Sequence, residues 1–220
     1  MSTTQLHYLH DPLCGWCYGA APLVAAARRV LPVVAHAGGM MAGGNRQPVT
    51  PQLRAFVLPH DQRIAQLSGQ PFGEAYRDGL LRDSTAVLDS EPPITAMLAA
   101  EQLRPGGGLD LLARLQVAHY QHGQRIADEA VLQQQAVALG LAPAAFAAAY
   151  AACRGAVTQA HLRDSRALLA RVGGQGFPTL VLDQAGALRL LDVGAYLGRP
   201  QAWAAWLAEQ VAAPPAQPLG

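Results

Sequence analysis

His10-Asp11-Pro12-Leu13-Cys14-Gly15-Trp16-Cys17-Tyr18-Gly19 is the stretch on which the reading of this chain turns. It holds two thiols separated by two residues. Before it lies a short run of strand-like composition, Gln5 to His10, which Asp11-Pro12 closes. After it, Ala20, Leu23, Val24, Ala27 and Val30 recur at helical spacing. A helix start leaves backbone N–H groups unpaired and carries roughly half a positive charge, which favours a thiolate there. Cys14 stands at the open end and is expected to be the exposed nucleophile. Cys17, one turn further in, is expected to be the buried resolving thiol.

Two other readings of the pair are weighed. A zinc site would need His7 and His10 beside the thiols. An odd spacing in a strand sends these two rings to opposite faces, and the chain has no second C-x-x-C. No metal is therefore expected. Two purely structural thiols would leave Trp16 between them without a packing reason.

Working outward, Val33-Val34-Ala35-His36-Ala37 reads as a second strand, closed by Gly38-Gly39, so the chain opens as β-α-β with parallel strands. From about Thr50 to Arg154 helix signals recur with almost no strand signal. Ser90 or Glu91 caps one helix, with Pro92 and Pro93 in its first turn and Gly106, Gly107 and Gly108 as its stop. Leu112, Leu115, Ala118 and His119 mark the next. Asp128 caps another that stops at Gly140, and Pro143 starts a short Ala-rich helix. Residues 157–172 read as a helix. Thr179 to Asp183 and Ala187 to Asp192 read as an antiparallel hairpin. Pro200 opens a last helix with Trp203 and Trp206 in the core, and the Pro-rich tail after Ala212 is expected to fray. The class is α/β, with an all-helical insertion between two halves of one sheet domain.

Gly176-Phe177-Pro178-Thr179 carries the second signal. A Pro opening a strand after a Gly-rich break is compatible with a cis peptide bond, which would leave the Phe177 backbone free to pair with an extended substrate. The bland alternative is a Pro tolerated at the first position of a strand.

Composition narrows the function classes. The chain has 220 residues, 51% hydrophobic and 14% charged, with a formal net charge of +1 and Arg as its only basic side chain besides His. That balance argues against a nucleic-acid partner and against a polybasic membrane anchor. No apolar run reaches the roughly 18 residues of a spanning helix, so no membrane partner is expected. The first residues lack a basic segment followed by an apolar one, so no secretion signal is expected. Three cysteines are too few for a disulfide framework and fit a reducing, cytoplasmic setting.

With these residues in place, the chain resembles the thioredoxin superfamily: β-α-β, then α-β-β-α, with C-x-x-C at the first helix and a cis-Pro before the third strand. The helical insertion resembles the DsbA branch, and the opening motif resembles cytosolic DsbA-like proteins of the protein-disulfide isomerase type. The resemblance implies a thioredoxin fold, a mixed sheet built as βαβ then ββα. Residues 1–45 and 155–220 would form the thioredoxin-like domain and residues 46–154 the helical insertion. It implies a disulfide reductase or isomerase in which Cys14 attacks, Cys17 resolves, and Trp16, Phe177 and Pro178 meet the substrate. The substrate would be a disulfide-containing protein or a small thiol. No bound cofactor is implied, although glutathione could serve as co-substrate.

The same fold hosts the alternative, a glutathione-dependent transferase or isomerase of the kappa type, which carries Ser where Cys14 stands. The state of assembly, monomer or homodimer, is left open. Asp11 is read either as a solvated turn residue capping the helix or as a proton relay to Cys17, and His10 as a strand residue or a proton shuttle. Cys153 is read as a buried small hydrophobe rather than a third redox thiol. The Ser90–Pro93 loop is read as a cap or, by the resemblance, as a substrate contact.

Overall fold

The computed structural model describes residues 4–213. The Pro-rich tail therefore lies outside the described residues. Strand β1 (Gln5–His10) pairs in parallel with β2 (Val33–Ala37), and helix α1 (Gly15–Ala27) connects them. Strands β5 (Thr179–Gln184) and β6 (Ala187–Leu191) form the expected hairpin, and β5 runs antiparallel to β1. The sheet order is β2-β1-β5-β6, a mixed sheet with β1 and β5 at its centre. Two-residue strands β3 (Gln47–Pro48) and β4 (Val87–Leu88) make a separate small ribbon.

Alternation along the central strands sorts the two faces. Leu6, Tyr8, Leu180 and Leu182 point into the main core, where Trp203 and Leu207 of α8 (Pro200–Ala212) also lie. Leu9 and Val181 point the other way, against Leu168 of α7 (Ala156–Arg171). Trp203 is fully buried and stacks on Trp206 at 5.3 Å, which places both in packing.

The segment between the halves is helical: α2 (Pro51–Ser68), α3 (Glu91–Leu103), α4 (Gly107–Tyr120), α5 (Glu129–Ala138) and α6 (Pro143–Cys153). Helix α2 has no counterpart in the sequence reading. Thr50 caps it, accepting from Leu53 N–H at 3.1 Å, and Pro51 occupies its first position. Its weak amphipathic pattern, with Pro59 inside, hides it.

The triple glycine does not simply stop α3. That helix ends at Leu103, while Gly107 and Gly108 belong to the first turn of α4. The reason is a borrowed cap: Glu101 of α3 accepts from Gly106 N–H at 2.9 Å and Gly108 N–H at 3.0 Å. Two expected caps also differ. The Ser90 hydroxyl makes no cap bond, and Asp89 takes the Glu91 N–H at 2.9 Å instead. Asp128 occupies the N-cap of α5 without a side-chain bond. Among the described residues no helix is long and apolar enough to cross a membrane.

Candidate active site

Cys14 is the N-cap residue of α1, with extended backbone at φ −88° and ψ 112°. Its sulfur accepts the Cys17 N–H at 3.3 Å, one of the donors a helix start leaves free. On its other side the Cys14 thiol donates to the Phe177 carbonyl at 3.4 Å, and the Phe177–Pro178 peptide is cis. Both cysteines are free thiols. The expectation of an exposed Cys14 is corrected: it is 5% exposed and Cys17 0%. The loop before β5 folds back over the first turn of α1, a contact across 163 positions that no local pattern announces.

Burial pushes the Cys17 thiol well above its ordinary range, and the hydrogen bond and charge of Cys14 push it the same way. The Tyr8 hydroxyl, also fully buried and held protonated, donates to the Cys17 carbonyl at 3.4 Å.

Asp11 is not a solvated cap. It is fully buried, and its carboxylate ties three segments together. Oδ1 accepts from Leu13 N–H at 2.9 Å and Ser90 Oγ at 2.8 Å, and Oδ2 accepts from Met40 N–H at 2.6 Å. Burial raises its pKa to about 6 against the pull of these donors. Ser90 thus serves the loop that precedes Cys14, rather than its own helix. Arg166 of α7 braces the neighbouring turn, donating to Gly38 O at 2.7 Å and Gly39 O at 2.8 Å.

His10 is fully buried and stacks on Tyr8 at 4.8 Å. Its ring bonds to neither thiol; both ring nitrogens lack a hydrogen-bond partner, and burial drives its pKa down to about 3. His7 lies on the other face, its ring 2.9 Å from His36 Nε2 and 3.4 Å from Asp183. Among the described residues no cluster of three or more His, Cys, Asp or Glu side chains is placed to hold a metal ion.

Trp16, Phe177 and Pro178 line one open groove of about 550 Å³ with Leu190, Val193 and Leu197. The bulky Phe177 fits because of Gly38, where an added Cβ would lie 2.0 Å from the ring. Cys153 sits at the end of α6 in the main core.

One acid near the motif escaped the sequence reading. Asp61 of α2 is 5% exposed and accepts from the Tyr76 hydroxyl at 3.0 Å. Burial lifts its pKa to about 7. It reaches the thiol motif because Gly15 has no side chain: a Cβ there would stand 3.1 Å from Asp61 Oδ1 and 3.0 Å from Ile64. The available signal is an acid on the inward stripe Val57, Asp61, Ile64 and Ser68 of a helix.

Comparison with solved structures places this geometry among proteins of known activity. The cytosolic disulfide reductase DsbM from Pseudomonas aeruginosa is 54% identical, with a TM-score of 0.89, over 94% of this chain and 98% of that one. A second structure of DsbM, with GSH, gives 53% identity and a TM-score of 0.88 over 95% and 100% of the two chains. A Nitrosomonas europaea protein proposed to be a disulfide isomerase is 24% identical, with a TM-score of 0.78 over 94% and 98%, and shares the fold. No family model matches the chain, and no curated protein does.

Proposed function

The chain belongs to the DsbA-like branch of the thioredoxin-fold oxidoreductases and is a disulfide reductase, and on that premise we propose that it reduces disulfides in the cytosol through Cys14 and Cys17, with glutathione as its thiol partner. The observation that carries the proposal is the Cys14 sulfur, held between the Cys17 N–H and the Phe177 carbonyl at the tip of α1.

The Cys14 thiolate attacks one sulfur of the substrate disulfide. An S–S bond to Cys14 forms, the substrate S–S bond breaks, and the departing sulfur leaves with the electron pair and takes a proton from solvent. Once Cys14 is bonded to substrate, the hydrogen bond and charge that held the Cys17 proton in place are gone. Cys17 then deprotonates and attacks Cys14. The substrate leaves as a dithiol and the enzyme holds a Cys14–Cys17 disulfide. Two glutathione molecules restore the dithiol, the first by attacking that disulfide and the second by releasing oxidised glutathione.

Trp16, Phe177 and Pro178 are assigned to substrate contact, because they line one groove and the Phe177 carbonyl in it meets the Cys14 thiol. Asp11 is assigned an electrostatic role. Burial and Cys14 are what chiefly hold the Cys17 thiol protonated; the Asp11 carboxylate pushes the same way more weakly, against a hydrogen bond with the Asp11 backbone that pulls the other way. His10, which bonds to neither thiol, is given no part in proton transfer.

The test is reduction of a model protein disulfide by glutathione with wild type, Cys14→Ser and Cys17→Ser. Cys14→Ser should be inactive. Cys17→Ser should accumulate a mixed disulfide that mass spectrometry detects. Full activity in Cys14→Ser would overturn the assignment. Full turnover in Cys17→Ser would point instead to the kappa-type glutathione transferase chemistry that the fold also hosts.

A further inference from the structure

Strand β2 lies at an edge of the sheet, with β1 on one side only. The Gly38 N–H donates to His10 O at 2.9 Å, and Pro32 O accepts the Leu6 N–H at 2.9 Å. With the register running from Leu6↔Val33 to His10↔Ala37, these two bonds fix the alternation of the parallel ladder. Val34 and His36 turn their N–H and C=O towards β1, while Val33, Ala35 and Ala37 turn theirs to the outer edge. There the Ala37 N–H is taken by His161 Nε2 at 3.0 Å. Among the described residues the N–H and C=O of Ala35 have no partner.

A cavity of about 210 Å³ lies between this edge and helices α3 and α4. Val33, Ala35, Met97, Leu98 and Leu109 are among its walls, and Val33 and Ala35 are half-buried. The His161 ring, which meets the outer edge at Ala37, lines the same cavity, so the edge faces into it.

The polar side chains around the cavity are mostly committed. Glu101 has one oxygen on Gly106 N–H at 2.9 Å and the other on Gly108 N–H at 3.0 Å. Arg28 and Arg104, near that turn, are paired with Asp110 at 2.6 Å and 2.7 Å. His10 borders the cavity, but both its ring nitrogens are fully buried and out of a ligand's reach. His161 accepts through Nε2, so its neutral ring keeps a proton on Nδ1 as one uncommitted donor. Burial lowers the His161 pKa, against the weaker pull of Asp164 on the same helix. An anion therefore finds no unpaired cation here, and an amine no free carboxylate.

Ala35 is left offering a donor and an acceptor side by side, since the N–H and C=O of one extended residue point the same way. A trans amide cannot answer both, because its own N–H and C=O point in opposite directions. A ring that holds an N–H beside a C=O in the cis arrangement can. Apolar walls enclosing about 150 Å³ hold benzene, so a six-membered ring bearing these two groups fits this cavity.

We propose that this cavity is a binding site for a small neutral lactam or pyridone-like ring, whose adjacent C=O and N–H pair with the N–H and C=O of Ala35. The ligand would add two hydrogen bonds to an edge that the fold leaves open. The site lies apart from the groove beside Cys14 and does not depend on the redox reading.

The experiment is titration of 2-pyridone, N-methyl-2-pyridone and benzoate into the purified full chain. The readouts are the Ala35 backbone ¹H–¹⁵N and carbonyl ¹³C resonances, the His161 ring ¹⁵N resonances and the melting temperature. 2-Pyridone should shift the Ala35 resonances saturably and raise the melting temperature. N-methyl-2-pyridone, which lacks the donor and leaves the Ala35 carbonyl unpaired, should bind about tenfold more weakly. Benzoate should not bind. Ala35→Pro removes an N–H that lies outside the ladder, a change an edge strand tolerates, and should erase the advantage of 2-pyridone. Leu98→Trp, which fills the cavity from α3, should abolish binding of both rings. Three wild-type results would overturn the proposal, whatever the variants do. The first is no saturable Ala35 shift with 2-pyridone. The second is equal affinity for the two pyridones, with shifts confined to the His161 ring, which would mean that the Nδ1–H alone recognises a carbonyl. The third is tighter binding of benzoate than of 2-pyridone.

Discussion

Ser90 and Asp11 are 79 positions apart in the chain, yet the Ser90 hydroxyl donates to Asp11 Oδ1 at 2.8 Å inside the protein. The bond joins the start of α3 to the loop that presents Cys14. The same hydroxyl accepts the Met41 N–H at 3.1 Å, and Asp11 accepts the Met40 N–H, so three segments meet at one carboxylate.

Ser90→Ala leaves this buried carboxylate one donor short. Stability should fall by about 1–3 kcal/mol, the range for an unsatisfied buried acceptor. The Asp11 pKa should rise above its present value of about 6, because the Ser90 bond is one of the groups holding it down. Urea unfolding at pH 8 and carboxyl ¹³C titration measure the two effects. An unchanged Asp11 titration would show that the bond does not form in solution.

Gly38 and Phe177 should couple strongly. Gly38→Ala puts a methyl group 2.0 Å from the present position of the Phe177 ring, so the ring and the Pro178 loop must move. Overpacking of this kind costs about 1–3 kcal/mol, and disulfide reduction should drop with it. Phe177→Leu makes room. In the double variant the penalty of Gly38→Ala should shrink to well under half, which a double-mutant cycle on unfolding free energy resolves.

Asp61 should make the protein less stable as pH rises. Its folded pKa of about 7 lies above the ordinary 3.8, so between those values the folded state binds the proton more tightly than the unfolded chain does. The stabilisation is fully present below about pH 4 and is lost as pH climbs towards 7. Asp61→Asn keeps an acceptor for Tyr76 and removes this titration. It should gain roughly 2–4 kcal/mol over wild type at pH 8 and nothing at pH 4. Equal stability of the two proteins at both pH values would exclude a buried ionised Asp61.

His119 should act in the opposite direction. It is 2% exposed and edge-on to Tyr120, and burial lowers its pKa from 6.5 to about 4. Between those values the unfolded chain binds the proton and the folded chain does not, so stability falls as pH drops. His119→Phe preserves the ring packing and removes this acid loss. Relative to wild type, the variant should retain about 2 kcal/mol more on going from pH 7.5 to pH 5. Parallel acid curves for the two proteins would rule out the buried neutral imidazole.

Much of the architecture could be read from local chemistry. Period-two and period-3.6 patterns locate β1, α1, β2 and the β5–β6 hairpin, because each depends on side chains a few residues apart. Helix α2 was not legible. Its apolar stripe includes Asp61 and Ser68, and its interior holds Pro59, so tertiary packing overrides a weak local signal. The boundary between α3 and α4 was misread for a related reason: the cap comes from Glu101, a side chain on the preceding helix.

The amino-acid sequence by itself determined that two thiols stand at the start of a helix between parallel strands, with a proline opening a later strand. Spacing along one chain encodes those facts directly. Only the tertiary structure decided that the Phe177 carbonyl covers Cys14, that Ser90 rather than water satisfies Asp11, and that Asp61 reaches Gly15. Each of these joins residues dozens of positions apart. Such contacts exist because the helices pack closely enough to exclude water, and polar groups buried in the process must find partners wherever the fold happens to place them.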